Sequence, residues 1–314
     1  MKDNASTNDS PASIQKYFDQ ANSGRNAWWH WVVGACFVVL IYVGFAIPIV
    51  LISLALLDSL AVTNEEATAF RYEVVSLITL LVSFLPLWIG VWWVQTKWFG
   101  RPFGESLITS ASRIRWGYVV RAAAVTFVVL VVDSVCSSLL TGESQKISIN
   151  SLPMFLLGLL IFLPLVPVQA ASEELVFRGF LNQSLIGYLK SPWVTYLVTS
   201  LLFAWLHIGN SEAENNTLPF LVAIFGYGIA CCVLLHFEGG LESAIGLHVC
   251  NNLVAFSLFS AEDPDLPELS LFVQQGLATV SISDAAESIF CNVLIVVIVI
   301  FWNRRADQRQ EKLA

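Results

Sequence analysis

The chain has 314 residues, 56% of them hydrophobic and only 13% charged, with a mean hydropathy of +0.69 and a formal net charge of -8. Apolar runs this long and this numerous exclude a soluble core and point to an all-α, polytopic membrane protein, since closed helices satisfy the backbone in hydrocarbon. The acidic balance arises largely from loops, and no basic patch interleaved with aromatics is present, so nucleic acid is not an expected partner.

The head, Met1 to Asn26, is rich in Ser, Asn and Asp and holds no apolar stretch, which predicts a disordered cytoplasmic tail. The first apolar run, Trp28 to Leu57, opens on Trp28-Trp29-His30-Trp31, an aromatic cluster of the kind that sits at headgroup level. It is too long for the h-region of a cleaved signal and lacks a clear small-residue cleavage site, so a retained signal anchor is expected. Further runs follow at Val74 to Trp98, Gly117 to Leu140, from Leu152 onward, Pro192 to His207, Leu218 to Phe237, Leu241 to Ser260 and Glu287 to Trp302. The expectation is about eight transmembrane helices. Residues 27–150 form the N-terminal helices, 151–262 a core that holds the polar motifs, and 263–314 an outer loop, the last span and a basic cytoplasmic tail.

Orientation follows from the basic residues. Lys2, Lys16 and Arg25 precede the first span, Lys97, Arg101, Arg113 and Arg115 lie beside the loop between the second and third, and Arg304, Arg305, Arg309 and Lys312 follow the last. These segments are predicted to be cytoplasmic, with both termini inside. All six cysteines, Cys36, Cys136, Cys231, Cys232, Cys250 and Cys291, fall in apolar runs and read as thiols rather than disulfides. No C-x-x-C pair, H-E-x-x-H motif or Gly-rich phosphate loop is present.

Polar groups inside the later spans carry the chemistry. In Ala171-Ser172-Glu173-Glu174-Leu175-Val176-Phe177-Arg178, three charges stand where each costs at least about 2.5–3.5 kcal/mol at mid-depth. Glu174 and Arg178 are four apart with the acid N-terminal, the favourable direction for a helical ion pair. Glu173 then lies about 100° round the helix without a partner on its own segment, a candidate base toward water. His207 follows Phe203 by four, and His248 precedes Asn252 by four on one helix face. One carboxylate, two imidazoles and an amide suit water activation with oxyanion stabilisation, or a metal held by Glu173, His207 and His248 with an open position.

Each residue also has a structural reading. Glu174 and Arg178 can be a plain ion pair, Glu173 a helix-to-helix hydrogen bond, and a lone intramembrane histidine a packing residue. Asn251 reads as a helix–helix contact, His30 and His236 as interfacial. Arg121 and Asp133, about 18 Å apart along one helix, cannot pair with each other. Arg121 is expected to snorkel, and Asp133 to serve as a supporting partner or a stray polar contact.

The order Glu173-Glu174-x-x-x-Arg178, Phe203-x-x-x-His207, His248-x-x-x-Asn252 resembles the three motifs of the CPBP family, the CAAX prenyl endoproteases and bacteriocin-processing or self-immunity (Abi) proteins. The flanks agree, with Phe177-Arg178-Gly179-Phe180-Leu181 after the glutamates and Gly239-Gly240-Leu241 before the His248 helix. The resemblance covers Leu152 to about Ser260. It implies an intramembrane endopeptidase of membrane-associated substrates, prenylated or not. By the same resemblance Glu173 with His207 would orient and deprotonate water, His248 and Asn252 would hold the oxyanion, and Glu174, Arg178 and Phe203 would support them. Zn(II) or no cofactor are both compatible with the family. A proton-coupled transporter and a non-catalytic membrane scaffold or immunity-type protein are the competing classes, the former without the inverted repeats usual for it.

From Leu152 to Lys190 a continuous helix would be about 58 Å long, twice the hydrocarbon thickness, with Pro164 and Pro167 expected to interrupt it. A tilted, kinked helix reaching Lys190 is the expectation, because it would bring Glu173 and His207 to similar depth.

Overall fold

The computed structural model describes residues 12–60, 65–141, 147–210, 213, 216–262, 267–277 and 280–312. The helices in chain order are α1 (Ala12–Asp19), α2 (Trp28–Leu60), α3 (Glu65–Val82), α4 (Leu85–Trp93), α5 (Trp116–Thr141), α6 (Leu152–Glu174), α7 (Asn182–Leu189), α8 (Pro192–Leu206), α9 (Thr217–Glu238), α10 (Glu242–Leu253) and α11 (Ile282–Glu311). Three short strands, β1 (Ile147–Ile149), β2 (Phe259–Glu262) and β3 (Phe272–Leu277), form a sheet in the order β1-β3-β2. In it β1 runs antiparallel and β2 parallel to β3.

Six stretches among the described residues are long and apolar enough to cross a membrane: Trp28–Ser59, Thr68–Trp98, Trp116–Leu139, Leu152–Leu189, Thr217–Glu238 and Ile282–Gln310. The protein is an all-α, multi-pass membrane protein. Two expected spans take a different form. The run from Pro192 makes α8, an apolar helix of only 15 residues. The run from Leu241 to Ser260 makes the 12-residue α10, a π-helical turn and strand β2. Its polar face explains why: Glu242, Ser243 and His248 are buried against protein rather than turned to lipid. By contrast α2 leaves Val39, Leu40, Ile47, Leu51 and Ile52 exposed, an apolar surface that hydrocarbon can cover.

The helical stretch reaches the neighbourhood of Lys190 as expected, but without the interruption or boundary expected at Pro164 and Pro167. Both prolines sit inside α6, and the helical stretch continues for 38 residues to Leu189. The irregularity falls instead at residues 175–181, a π-helical segment directly after the two glutamates. Such π-segments recur at functional sites because the wider turn re-aims side chains.

The head departs from the disorder expected of it. Residues 1–11 lie outside the described residues, but 12–22 are helical, and Ile14, Tyr17, Phe18 and Ala21 are buried in a cluster with Trp31, Phe99, Leu107 and Tyr196. Four apolar side chains at helical spacing provide a face that polar composition alone conceals. The Tyr17 hydroxyl donates to the Leu107 carbonyl at 2.6 Å, and burial pushes its pKa well up, so it remains a donor. Arg101, expected only to mark the cytoplasmic side, is buried: it donates to the carbonyls of Ser23 (2.6 Å), Ala21 (2.5 Å) and Arg25 (3.1 Å) and lies over the Phe99 and Trp31 rings. Gly239, at φ +64°, ends α9 in the left-handed region, and a Cβ there would stand 2.5 Å from the Ser13 carbonyl oxygen, so α1 seats on this turn.

The second half is held by close packing of α10 against α5. A Cβ on Gly246 would stand 2.3 Å from the Val119 carbonyl oxygen, so only glycine lets these helices approach this far. A buried polar belt ties α5, α9, α10 and α11. Arg115 forks onto Glu242 (2.9 and 2.7 Å), Asn303 donates to Glu238 (2.7 Å) and Ser243 (3.1 Å), and Arg121 donates to Asn303 (2.5 Å) rather than reaching free toward solvent. The six cysteines are all free thiols, Cys36 and Cys136 on exposed helix faces and the other four buried.

Candidate active site

Three elements bring the polar residues together. The end of α6 and its π-helical continuation carry Gln169, Glu173, Glu174 and Arg178; α10 carries His248, Asn251 and Asn252; the end of α8 carries Phe203 and His207. α10 packs against α6 and so brings His248 and Asn252 to the Gln169–Glu173 face.

His248 stands between the two glutamates. Its Nδ1 is 2.7 Å from Glu174 Oε1, and its Nε2 is 3.6 Å from Glu173 Oε2. A carboxylate only accepts, so Nδ1 carries the hydrogen and Nε2 is the atom presented to Glu173. Glu174 Oε1 also accepts from Arg178 Nη1 at 3.1 Å, and both residues are buried. The guanidinium lies 4.3 Å over the Phe203 ring, which gives its charge a second source of compensation. Glu174 is therefore more than half of an ion pair, since the same oxygen sets the orientation and tautomer of His248.

Glu173 is held differently. Its Oε1 accepts from Gln169 Nε2 at 2.6 Å, while its Oε2 has no hydrogen-bond partner among the described residues. Gln169 Oε1 accepts from Asn252 Nδ2 at 2.9 Å, and Asn252 Oδ1 accepts from Asn251 Nδ2 at 3.1 Å. Asn251, read as a helix–helix contact, instead bonds its neighbour on α10. Gln169 was missed by sequence reasoning. The available signal was one amide in an otherwise apolar stretch, four residues before Glu173 and so on the same helix face.

His207 joins the cluster through Phe203. Its Nδ1 is 2.8 Å from the Phe203 carbonyl oxygen and its ring 4.5 Å from the Phe203 ring, which is 6.3 Å edge-on from the His248 ring. A carbonyl likewise only accepts, so His207 presents Nε2 as an acceptor. No hydrogen bond or ion pair joins His207 directly to Glu173 among the described residues. Tyr227 of α9 packs its ring 5.2 Å edge-on to His248, its hydroxyl without a partner among the described residues.

The remaining candidates lie elsewhere. His236 is buried beside Trp193 and Tyr196, His30 stacks on Trp29, and Asp133 lies next to Glu287 and Cys291. For a metal, the expected ligands are Glu173, His207 and His248. Among the described residues no three His, Cys, Asp or Glu side chains are arranged to hold one ion. The Nδ1 hydrogen bonds of His248 to Glu174 and of His207 to a backbone carbonyl leave both Nε2 atoms as acceptors, but with Glu173 they are not gathered around one point among the described residues, and no step below is routed through a metal.

Residues 151–254 match the family model described as type II CAAX prenyl endopeptidase Rce1-like. That segment is thus similar to the Rce1-like family. The match bears out the resemblance carried by the three motifs, and its limits nearly coincide with the Leu152 to Ser260 stretch that carried it. An uncharacterized protein of Bacillus subtilis strain 168, YyaK, is 27% identical over 164 residues, which are 52% of this chain and 54% of that protein. The chain thus spans about half the length of the curated relative it matches. No solved structure matches it.

Proposed function

We propose that this protein is an intramembrane endopeptidase that hydrolyses a peptide bond in membrane-associated proteins or peptides, CAAX-type prenylated substrates among them, with water activated by Glu173. The observation that supports it most directly is the buried Glu173–His248–Glu174–Arg178 cluster lying inside the Rce1-like segment. Glu173 there turns an unbonded oxygen toward His248 Nε2, while Glu174 holds the Nδ1 side of the same imidazole and pairs with Arg178.

The parts divide the work as follows. Glu173 Oε2 takes the proton from the attacking water, whose oxygen adds to the scissile carbonyl carbon. His248 Nε2, 3.6 Å away, receives that proton and delivers it to the leaving amide nitrogen as the carbon–nitrogen bond breaks. Glu174 stabilises the imidazolium through Nδ1–H, the role a buried carboxylate plays behind a catalytic histidine. His207 Nε2, an acceptor, helps to orient the water. The second N–H of the Asn252 amide, beyond the one given to Gln169, donates to the developing oxyanion.

The experiment is cleavage of a panel of membrane-anchored peptides, farnesylated and unmodified, by the purified chain in detergent. Wild type and Glu173→Gln are compared with and without a strong chelator. Cleavage by wild type and its loss in the variant support the reading. Cleavage that survives Glu173→Gln overturns it, and loss with chelator alone would put a metal into the mechanism.

A further inference from the structure

Among the described residues Gln169 is the one side chain that hydrogen-bonds both Glu173 and Asn252, and it sits in a stretch whose neighbours are Pro167, Val168, Ala170 and Ala171. Burying an amide among apolar residues is unfavourable unless its donor and acceptor are both used. Here both are used, and the chemistry of the partners dictates which end faces which. Glu173 as a carboxylate can only accept, so the Nε2 end must face it. The Oε1 end then meets Asn252 and can only accept, so Asn252 must turn Nδ2 toward it and leave Oδ1 for Asn251. One carboxylate thereby sets the direction of three successive hydrogen bonds, each polarising the next.

We propose that Gln169 is a positioning residue of the site: it ties up Glu173 Oε1 so that Oε2 is the oxygen offered to water, and it fixes the Asn252 amide with one N–H left to face the substrate. Two groups on different helices, α6 and α10, are thus held in register by a single side chain. This rests on the cleavage reading for its kinetic consequence but not for its geometry.

Two variants separate the two ends. Gln169→Met keeps the length and removes both hydrogen bonds; Gln169→Glu keeps an acceptor toward Asn252 but replaces the donor toward Glu173. In the full-length protein, the carboxylate infrared band assigned to Glu173, as the band lost in Glu173→Gln, is followed in both. The proposal expects that band to shift in Gln169→Met and in Gln169→Glu, with size-exclusion and circular-dichroism profiles like those of wild type. For any peptide of the panel that wild type cleaves, kcat falls about tenfold to a hundredfold in Gln169→Met with KM little changed, the loss of one or two hydrogen bonds to a reacting group. An unshifted Glu173 band in folded Gln169→Met overturns the proposal, as does an equal fall in the apparent affinity with kcat unchanged. If wild type cleaves no peptide, the endopeptidase reading fails while the infrared band still judges Gln169.

Discussion

The Glu174–Arg178 pair offers the sharpest test of how this site is held. Arg178→Met removes the guanidinium but keeps most of the volume of a side chain buried among α6, α8 and α9. At the 3.1 Å separation and an effective dielectric of about 20, the attraction lost is about 5 kcal/mol, offset in part by the desolvation of both ions. The larger effect is what remains: Glu174, fully buried, would lose its one full positive charge and keep the His248 Nδ1 contact and the neighbouring Cys231 thiol. Breaking one side of a buried pair costs about 3–5 kcal/mol, and that is the expected loss for Arg178→Met. Removing the stranded charge as well should return much of it, so Arg178→Met with Glu174→Gln is expected to be more stable than Arg178→Met alone. Equilibrium unfolding in mixed micelles, followed by tryptophan fluorescence for wild type, both single variants and the double, measures the coupling. A loss below about 1 kcal/mol in Arg178→Met, or a double variant whose losses simply add, would refute the argument that the pair is maintained by charge compensation.

Glu173→Gln should lower kcat for any cleaved peptide by about 10²–10⁴ while leaving the unfolding midpoint no lower than wild type, because Oε2 has no hydrogen bond to lose. Arg101→Met removes three charged hydrogen bonds to carbonyls of residues 21–25, so limited proteolysis should nick the 20–26 segment about tenfold faster or more, with the later helices intact; unchanged nicking would show that α1 is held by its apolar face alone. Gly246→Ala places a methyl against the Val119 carbonyl and should destabilise by about 1–3 kcal/mol while also lowering cleavage, since α10 carries His248 and Asn252. Gly246→Ala with wild-type stability and activity would mean that the α5–α10 contact yields without strain.

The outline of the site was readable because its main residues lie close in sequence on single helices. Glu174 with Arg178 is a one-turn relation, and the structure shows the pair the spacing predicts. His248 beside Asn252 on one face is likewise a helical repeat. Which carboxylate meets which imidazole was not readable, because that depends on how α10 packs against α6. The result places His248 between Glu173 and Glu174, with His207 reached, among the described residues, through Phe203.

The sequence by itself determined that the chain lives in a membrane, that its helices are long and apolar, and which short stretch holds the buried charges. These properties follow from composition, from runs measured against bilayer thickness and from one-turn spacing, all of them local in the chain. Tertiary structure alone decided that α10 is enclosed by protein rather than spanning, that α6 passes through its prolines and widens after Glu174, and that residues 12–22 dock as a helix. It alone decided, too, that Gln169 joins Glu173 to Asn252. The physical reason is common to them all: a polar or apolar side chain finds its environment from elements distant in sequence, and only their packing says whether lipid, water or another residue stands opposite it.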